Sequence, residues 1–379
     1  MKQKKILLII VLAQFCCTSV WFAGNAVMAD LQLNFGLSTD ALGYLTSSVQ
    51  AGFIIGTLVF ALLTLADRFS PSKVFAVSAV IAAALNAAIL LADGQLIILL
   101  VCRFITGFAL AGIYPVGMKI AADYHDKGLG KALGFLVGAL VLGTAFPHLV
   151  KTVSNSLSWT TVIYVTSGLA LLGGISVFAL VPDGPFRKAG TQLDLSVVFK
   201  VFRDRKFRSA AFGYFGHMWE LYAFWAFVPV FLSSYGIANV SLWSFIVIGI
   251  GSVGCVIGGY FSASVGSKKV AITALILSGI SCLLSPLYFQ VPEVLFLALL
   301  IFWGFFVIMD SPQFSTLVAQ TAPSESRGSA LTIVNSLGFL LTIFSIQLLS
   351  WFGETANPRW LFLLLLPGPV LGVLAVRKS

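Results

Sequence analysis

Long apolar runs separated by short polar segments extend along the whole sequence. Runs of about 20 residues or a little more recur twelve times. They lie near 6–29, 41–64, 74–92, 96–122, 132–153, 159–181, 209–234, 240–264, 270–289, 293–318, 329–351 and 360–376. A helix that crosses the hydrocarbon core of a bilayer needs about 20 mainly apolar residues. The pattern therefore predicts an all-α membrane protein with twelve transmembrane helices.

One polar segment, residues 181–208, interrupts this pattern after the sixth run. It carries seven of the 23 Lys and Arg residues, and a segment this charged cannot lie in hydrocarbon. With six runs on either side, it predicts a six-helix half at 1–181, a connector at 182–208 and a second six-helix half at 209–379. Lys and Arg near span ends are retained in the cytoplasm, so the connector is predicted to be cytoplasmic.

The other basic residues agree with one orientation. With both termini on the side of the connector, 19 Lys and Arg residues face the cytoplasm, whereas only Lys151 and Arg359 face the opposite side. The Lys-rich start imitates a secretory signal, but the first run is long enough to span and has no convincing cleavage site, so we interpret it as an uncleaved first helix. We expect a multi-pass protein of the bacterial inner membrane with both termini in the cytoplasm.

Composition agrees with lipid as the solvent of this chain. Hydrophobic residues make up 59% and charged residues only 10%, whereas about a quarter is charged in soluble domains. The formal charge of +9 comes from short loops, which favours the orientation rule over nucleic-acid binding. The five cysteines fall within runs and have no CxxC spacing, so they are interpreted as packing residues, and no metal or cofactor is predicted. The absence of HExxH, GxSxG and Walker A motifs argues against an enzyme.

The two halves share an internal repeat. Gly107-Phe108 recurs as Gly304-Phe305, and Pro115 recurs as Pro312, in each case 197 residues later. A nearly constant offset predicts that both halves are the same six-helix unit in parallel orientation. Transporters are commonly built from such repeats, with the substrate site near the middle of the membrane.

Residues 65–68, between the second and third runs, read LADR. They resemble the loop motif G-x-L-A-D-R-x-G-R-K of the major facilitator superfamily, with Ser70 in place of the second glycine. In that family the charged residues of the motif lock the ends of helices. The resemblance therefore implies that Asp67, Arg68 and Lys73 form a gate latch, although ordinary solvated turn residues are the alternative. Candidates for the same network are Lys119, Asp123 and Lys127.

Arg103, followed by Gly107 and Gly112, resembles the arginine motif in the fourth helix of the same superfamily. Together with the repeat and the long middle loop, it implies the 6+6 major facilitator fold, with twelve helices in two pseudo-symmetric halves. It further implies a monomer that works by rocker-switch alternating access about a central site. The chain also resembles bacterial cyanate and nitrate permeases, but nitrate carriers have an arginine in the second span and this chain has none there.

Few ionisable residues lie inside the runs, and each costs about 2.5–3.5 kcal/mol on insertion scales, so each is a functional candidate. Glu220 lies near the middle of the seventh run, and His217 lies three positions earlier on the same helix face. With Asp310 in the tenth run, they are predicted to form a proton-exchanging cluster, with structural hydrogen bonds or ion pairs as the alternative. Arg103 is predicted to bind an anionic substrate group or to pair with a carboxylate. His148 is a further candidate.

Pro115 and Pro312 occupy matched positions in the fourth and tenth runs. Proline removes a helix hydrogen bond and can bend a helix. We predict paired hinges that let the halves rock, with static packing as the alternative. Small residues spaced four apart also predict close helix contacts. These pairs are Gly52/Gly56, Gly134/Gly138 and Gly254/Gly258.

These features together predict a secondary active transporter that moves a small solute by symport or antiport with protons. Its expected partners are a small-molecule substrate, protons and the lipid bilayer. Arg103 favours an anionic substrate, whereas Glu220 and Asp310 suit a cation equally well. The alternatives are an uncoupled facilitator of the same fold and, in a different class, a transport-like membrane sensor.

Overall fold

The computed structural model describes residues 2–125, 129–153, 158–187, 200–323, 327–355 and 357–377. Its contacts divide the chain into two compact units, Met1–Gln192 and Leu193–Ser379. The division falls inside the predicted connector. Residues 188–199 of that connector, with Lys188, lie outside the described residues, as does Lys127 at the end of the fourth run.

The first unit is built from helices joined by short non-helical segments. Its α-helices are α1 (Lys2–Thr18), α2 (Ala23–Ala26), α3 (Met28–Phe35), α4 (Ala41–Leu62), α5 (Leu65–Arg68), α6 (Pro71–Ala88), α7 (Leu96–Leu110), α8 (Tyr114–Tyr124), α9 (Leu129–Val153) and α10 (Thr160–Leu180). A short 3-10 helix, Ile89–Leu91, extends α6. The main packing pairs are α4 with α7, α6 with α10, and α1 with α9 and α10.

The second unit is built in the same way. Its α-helices are α11 (Arg205–Tyr235), α12 (Val240–Val265), α13 (Ser267–Leu284), α14 (Glu293–Phe306), α15 (Ser311–Thr321), α16 (Arg327–Thr355) and α17 (Pro367–Arg377). Two 3-10 helices, Ser285–Gln290 and Pro358–Leu365, lie after α13 and before α17. Helix α11 packs against α15, α16 and α17, and α12 packs against α14.

Ten helical segments of the described chain are long and apolar enough to cross a membrane. They correspond to ten of the twelve predicted runs. The other two runs fall on α1, which has 17 residues, and on α11, which has 31 residues. Helix α11 carries His217 and Glu220 in its interior, and such polar residues lower the hydropathy of the span that contains them.

The first run, predicted as one helix over 6–29, is interrupted. Helix α1 ends at Thr18, and residues 19–22 leave helical geometry, although all four are buried. Backbone of this kind is tolerated at membrane depth only where protein groups satisfy it. Here Arg103 from α7 donates from Nη1 to the Val20 carbonyl at 2.9 Å and from Nη2 to the Trp21 carbonyl. The prediction of a continuous first helix is wrong because a side chain from another span takes over these hydrogen bonds.

Pro115 and Pro312 begin new helices rather than bending continuous ones. The chain leaves helical geometry between α7 and α8 and again between α14 and α15, and each proline is the second residue of the helix that follows. Proline is well tolerated there because its missing N–H has no partner to lose. The prediction of bent helices is thus replaced by two interrupted spans at positions 197 residues apart. Their role as hinges stays a prediction.

Two glycines at matched positions, one in each unit, let neighbouring spans approach closely. A Cβ on Gly107 of α7 would lie 2.0 Å from the Val49 carbonyl oxygen of α4. A Cβ on Gly304 of α14 would lie 1.9 Å from the Val247 carbonyl oxygen of α12. These distances are far below van der Waals contact, so only glycine fits. Gly134, which the sequence also suggested as a contact, has no atom within 4 Å of a built Cβ, and that prediction is wrong.

Gly107→Ala and Gly304→Ala are each expected to lower the melting temperature and the folded yield in detergent. The added methyl group must push two helices apart, and overpacking of this kind costs about 1–3 kcal/mol or more. Gly134→Ala is the matched control and is expected to leave the melting temperature unchanged. Equal melting temperatures for the three variants would show that the close contacts do not matter for stability.

Candidate functional site

The carboxylate of Glu220 is buried in the second unit and is held by three donors. Its Oε1 accepts from Trp303 Nε1 at 2.7 Å, from Cys282 Sγ at 3.3 Å and from Ser278 Oγ. Ser278 and Cys282 lie four residues apart on one face of α13, and Trp303 comes from α14. Burial of a carboxylate is tolerable only when such hydrogen bonds replace water.

Aromatic rings surround the indole that donates to Glu220. The ring centroid of Trp303 lies 4.6 Å from that of Phe224 and 5.2 Å from that of Phe362. Both phenylalanines are fully buried. This packing fixes the indole and excludes water from one side of the carboxylate, so the hydrogen bond forms in a medium of low polarity, where it is strong.

His217 and Asp310 form a second buried pair in the same unit. His217 Nδ1 lies 2.8 Å from Asp310 Oδ1, and the two side chains are 1% and 2% exposed. The separation suits an ion pair, although the two groups are not aligned for a regular hydrogen bond. Asp310 directly precedes α15, where the amino end of a helix favours a negative charge. The imidazole and the carboxyl group thus face each other in the buried interior of this unit.

The interrupted tenth span supplies a partner to both buried ionisable residues of α11. Trp303 of α14 contacts Glu220, and Asp310, just before α15, contacts His217. Two carboxyl groups and one imidazole thus share one region of the unit. The sequence indicated all three ionisable residues but none of the donors to Glu220. Cys282, interpreted from the sequence as a packing residue, is one of those donors.

Arg103 lies in the first unit, 1% exposed, in a small polar network around the interrupted first span. The Trp21 carbonyl accepts from the Arg103 guanidinium. The Trp21 indole donates from Nε1 to Gln50 Oε1 at 3.3 Å. Four residues before Gln50 on α4, Thr46 accepts from the Asn25 amide at 2.8 Å. Backbone carbonyls, rather than the carboxylate that the sequence suggested, are therefore the partners of Arg103. Sequence reasoning missed Gln50 and Trp21.

The predicted latch residue Asp67 does meet a basic residue. Lys119 Nζ of α8 lies 2.7 Å from Asp67 Oδ1 and 3.9 Å from Asp123 Oδ1. Asp67 is placed by a chain reversal at Thr64, whose φ of 49° lies in the left-handed region. The exposed Arg68 and Lys73 form no ion pair with any described residue. The structure thus joins Asp67 to Lys119 and Asp123 and leaves the other two proposed latch residues apart.

The segment after α10 also binds this loop. Arg187 donates from Nη2 to the Asp67 carbonyl at 2.9 Å and to the Phe69 carbonyl at 2.7 Å. Its Nη1 lies 2.5 Å from Asp183 Oδ2, and Asp183 Oδ1 accepts from Ser70 Oγ at 2.6 Å. Sequence reasoning counted Arg187 as an orientation charge and missed the contacts with the loop, because these join residues more than 110 positions apart.

Asp67→Asn and Lys119→Gln are each expected to slow transport by about fivefold at most, because a partly exposed ion pair contributes about 1 kcal/mol or less. The double variant should be no slower than either single variant, since both remove one interaction. Initial uptake rates in proteoliposomes provide the measurement, and Arg68→Gln is the control. Additive losses in the double variant would contradict a direct pair.

His148 stands apart from these groups. It is buried in α9, and its Nε2 has no hydrogen-bond partner among the residues that the structure describes. Its backbone carbonyl accepts from Thr152 Oγ1, one turn later, at 2.9 Å. The site role suggested for His148 therefore stays a prediction with no contact to the other candidates.

Comparisons with known proteins bear on both the fold and the family. The xylose transporter XylE from Escherichia coli, in a partially occluded inward-open conformation, has a TM-score of 0.80 at 16% identity, covering 99% of this chain and 97% of that chain. A bacterial homolog of the human lysosomal transporter Spinster has a TM-score of 0.73 at 15% identity, covering 99% and 94%. At these identities the likeness concerns the fold alone, and it confirms the predicted fold class.

Sequence comparisons give the family. The uncharacterized transporter YgaY of Escherichia coli O157:H7 is 26% identical over 237 residues, which are 58% of this chain and 57% of that protein. The chain thus matches little more than half the length of this curated relative. The family model for the Major Facilitator Superfamily matches residues 10–346, most of the chain. The protein therefore belongs to the Major Facilitator Superfamily, a superfamily of multi-pass membrane transporters and not of enzymes.

Proposed function

We propose that the protein is a secondary active transporter that moves a small solute by alternating access and couples this movement to protons. Glu220 and the His217–Asp310 pair are the proposed coupling groups. The gate latch is proposed to involve Asp67 with Lys119, and the interruptions before Pro115 and Pro312 are the proposed hinges. A monomer in the bacterial inner membrane, with both termini in the cytoplasm, completes the proposal.

The observation that carries it is the environment of Glu220. Its carboxylate is buried, and its three donors are an indole, a thiol and a hydroxyl, none of which carries a charge. One proton can therefore neutralise this group without breaking an ion pair. Ionisable residues inside membrane spans mark ion pathways and proton relays. One of the solved structures with this fold is a proton:xylose symporter, which supports coupling of this kind.

Proteoliposomes with a trapped pH indicator test the proposal. Addition of a transported solute is expected to move protons across the membrane, and an imposed pH gradient should drive accumulation of that solute. Asp310→Asn, which removes the charge beside His217, is expected to reduce gradient-driven accumulation. Solute counterflow that proceeds without any dependence on protons in the wild type would instead identify an uncoupled facilitator of the same fold.

A further inference from the structure

Arg103 is a buried cation without a counter-ion in the described part of the chain. Its guanidinium stays charged at any physiological pH, and its two terminal nitrogens donate to backbone carbonyls. Its Nε has no hydrogen-bond partner among the described residues. Gly24 lies beside this atom, and a Cβ at that position would come within ordinary contact distance, 3.6 Å, of Nε. A buried charge left uncompensated in this way costs several kcal/mol.

Gln50 presents a second unsatisfied donor in the same network. The indole N–H of Trp21 can only donate, so the Gln50 atom that faces it must be the carbonyl oxygen. This contact fixes the orientation of the amide and turns its NH2 group away from Trp21. That nitrogen is buried and has no partner among the described residues. The neighbouring amide of Asn25, by contrast, is satisfied by Thr46.

The two unsatisfied donors, Arg103 Nε and Gln50 Nε2, lie in the same polar network. Trp21 contacts both residues, because its carbonyl accepts from Arg103 and its indole donates to Gln50. Helices α4 and α7 touch at the same level, since a Cβ on Gly52 would lie 1.9 Å from the Phe104 carbonyl oxygen. A permanent positive charge with two unsatisfied N–H donors suits a ligand that brings a negative charge and oxygen acceptors.

We propose that Gln50 and Arg103 form a binding site for a small anion with oxygen acceptors, a carboxylate or an inorganic oxyanion. We take this anion to be the transported solute, and in this respect the inference rests on the proposed function. The anion compensates the charge of Arg103 and accepts from Arg103 Nε and Gln50 Nε2. Trp21 positions both residues.

Equilibrium binding in detergent tests this site without any ion gradient. The melting temperature of the full chain is measured against sodium acetate, pyruvate, benzoate, nitrate and phosphate at constant ionic strength. Acetamide and benzamide serve as neutral analogues. At least one anion is expected to raise the melting temperature saturably, whereas the amides do not. Comparison of the carboxylates with nitrate and phosphate then shows whether the site binds a carboxylate or an inorganic oxyanion. The absence of saturable stabilisation by every anion would overturn the inference.

Gln50→Glu is the decisive variant. It keeps an oxygen for the Trp21 indole and replaces the unsatisfied NH2 with an anionic oxygen beside Arg103. The variant is expected to fold and to bind the anion at least about tenfold more weakly, since the anion loses a charge-assisted hydrogen bond and meets a like charge. Gly24→Ala, which covers Arg103 Nε at an ordinary contact distance, should also weaken binding. Wild-type affinity in both variants would refute the assignment.

Further variants distinguish loss of the anion site from general damage to the helix and from loss of proton coupling. Ser48→Ala removes a hydrogen bond of the same helix, from Ser48 Oγ to the Leu100 carbonyl at 2.7 Å, and is expected to bind the anion normally. Glu293→Gln, at an exposed position in the first turn of α14, should also bind normally. If Glu220→Gln keeps both binding and proton-driven transport, the proposed coupling fails while the anion site stands. If coupling is intact and no anion binds, the anion site fails alone.

Discussion

Glu220→Gln is expected to abolish pH-gradient-driven accumulation of solute and to leave solute counterflow intact. The glutamine side chain keeps an oxygen that can accept from Trp303 and Ser278, so the local packing is retained. It cannot take up or release a proton, however, and the cycle can no longer convert a proton gradient into a solute gradient. Counterflow needs only the exchange of bound solute, so it does not require that step.

The measurement compares accumulation under an imposed pH gradient with counterflow at equal pH, in the same proteoliposomes. Accumulation by the variant should fall to the level of wild-type vesicles treated with a protonophore. Glu293→Gln is the matched control, because it makes the same substitution at an exposed position in the first turn of α14. Full accumulation by Glu220→Gln would remove Glu220 from the coupling mechanism.

The largest loss of stability is expected for Arg103→Ala. Its guanidinium satisfies two backbone carbonyls of the interrupted first span, and each buried carbonyl left without a donor costs about 1–3 kcal/mol. Truncation of a large buried side chain adds a cavity cost of about 2–5 kcal/mol. The substitution also removes a buried charge that has no counter-ion among the described residues, and this gain offsets part of the loss of stability. We expect a much lower melting temperature and little folded protein.

Two variants show whether the carbonyl contacts are the cause. Arg103→Lys keeps the charge but not the two-pronged geometry, so its melting temperature should fall between those of the wild type and Arg103→Ala. Arg359→Ala is the control, because Arg359 lies 4.7 Å above the Trp360 ring, a contact that contributes about 0.5–1 kcal/mol when exposed. A larger loss for Arg359→Ala than for Arg103→Ala would contradict this account.

The spans could be predicted from sequence because length and hydropathy are local properties. The second run, predicted at 41–64, is helix Ala41–Leu62, and the sixth, predicted at 159–181, is Thr160–Leu180. The interruption at residues 19–22 could not be predicted in the same way. These residues are as apolar as their neighbours, and what changes their conformation is Arg103, more than 80 positions away.

In the candidate site, too, the ionisable residues could be predicted from sequence, whereas their partners could not. Glu220 and Asp310 could be found because a charge inside a membrane span is costly and rare. The spacing of His217 from Glu220 placed both on one helix face. Trp303 and Cys282 could not be found, because both residues are common in apolar helices and act as donors only once a carboxylate faces them. The spacing of Ser278 and Cys282, four apart in an apolar helix, was the one available signal.

The break in the tenth span lies between the two carboxylate contacts. Trp303, which holds Glu220, belongs to the helix before the break, and Asp310, which faces His217, is the last residue of the break and directly precedes the helix after it. A tilt of the later segment alone would separate Asp310 from His217 and leave the indole on Glu220. In the proposed transport cycle, such a tilt would open one of the two contacts and keep the other closed, and this would give the two proposed coupling groups a fixed order of action.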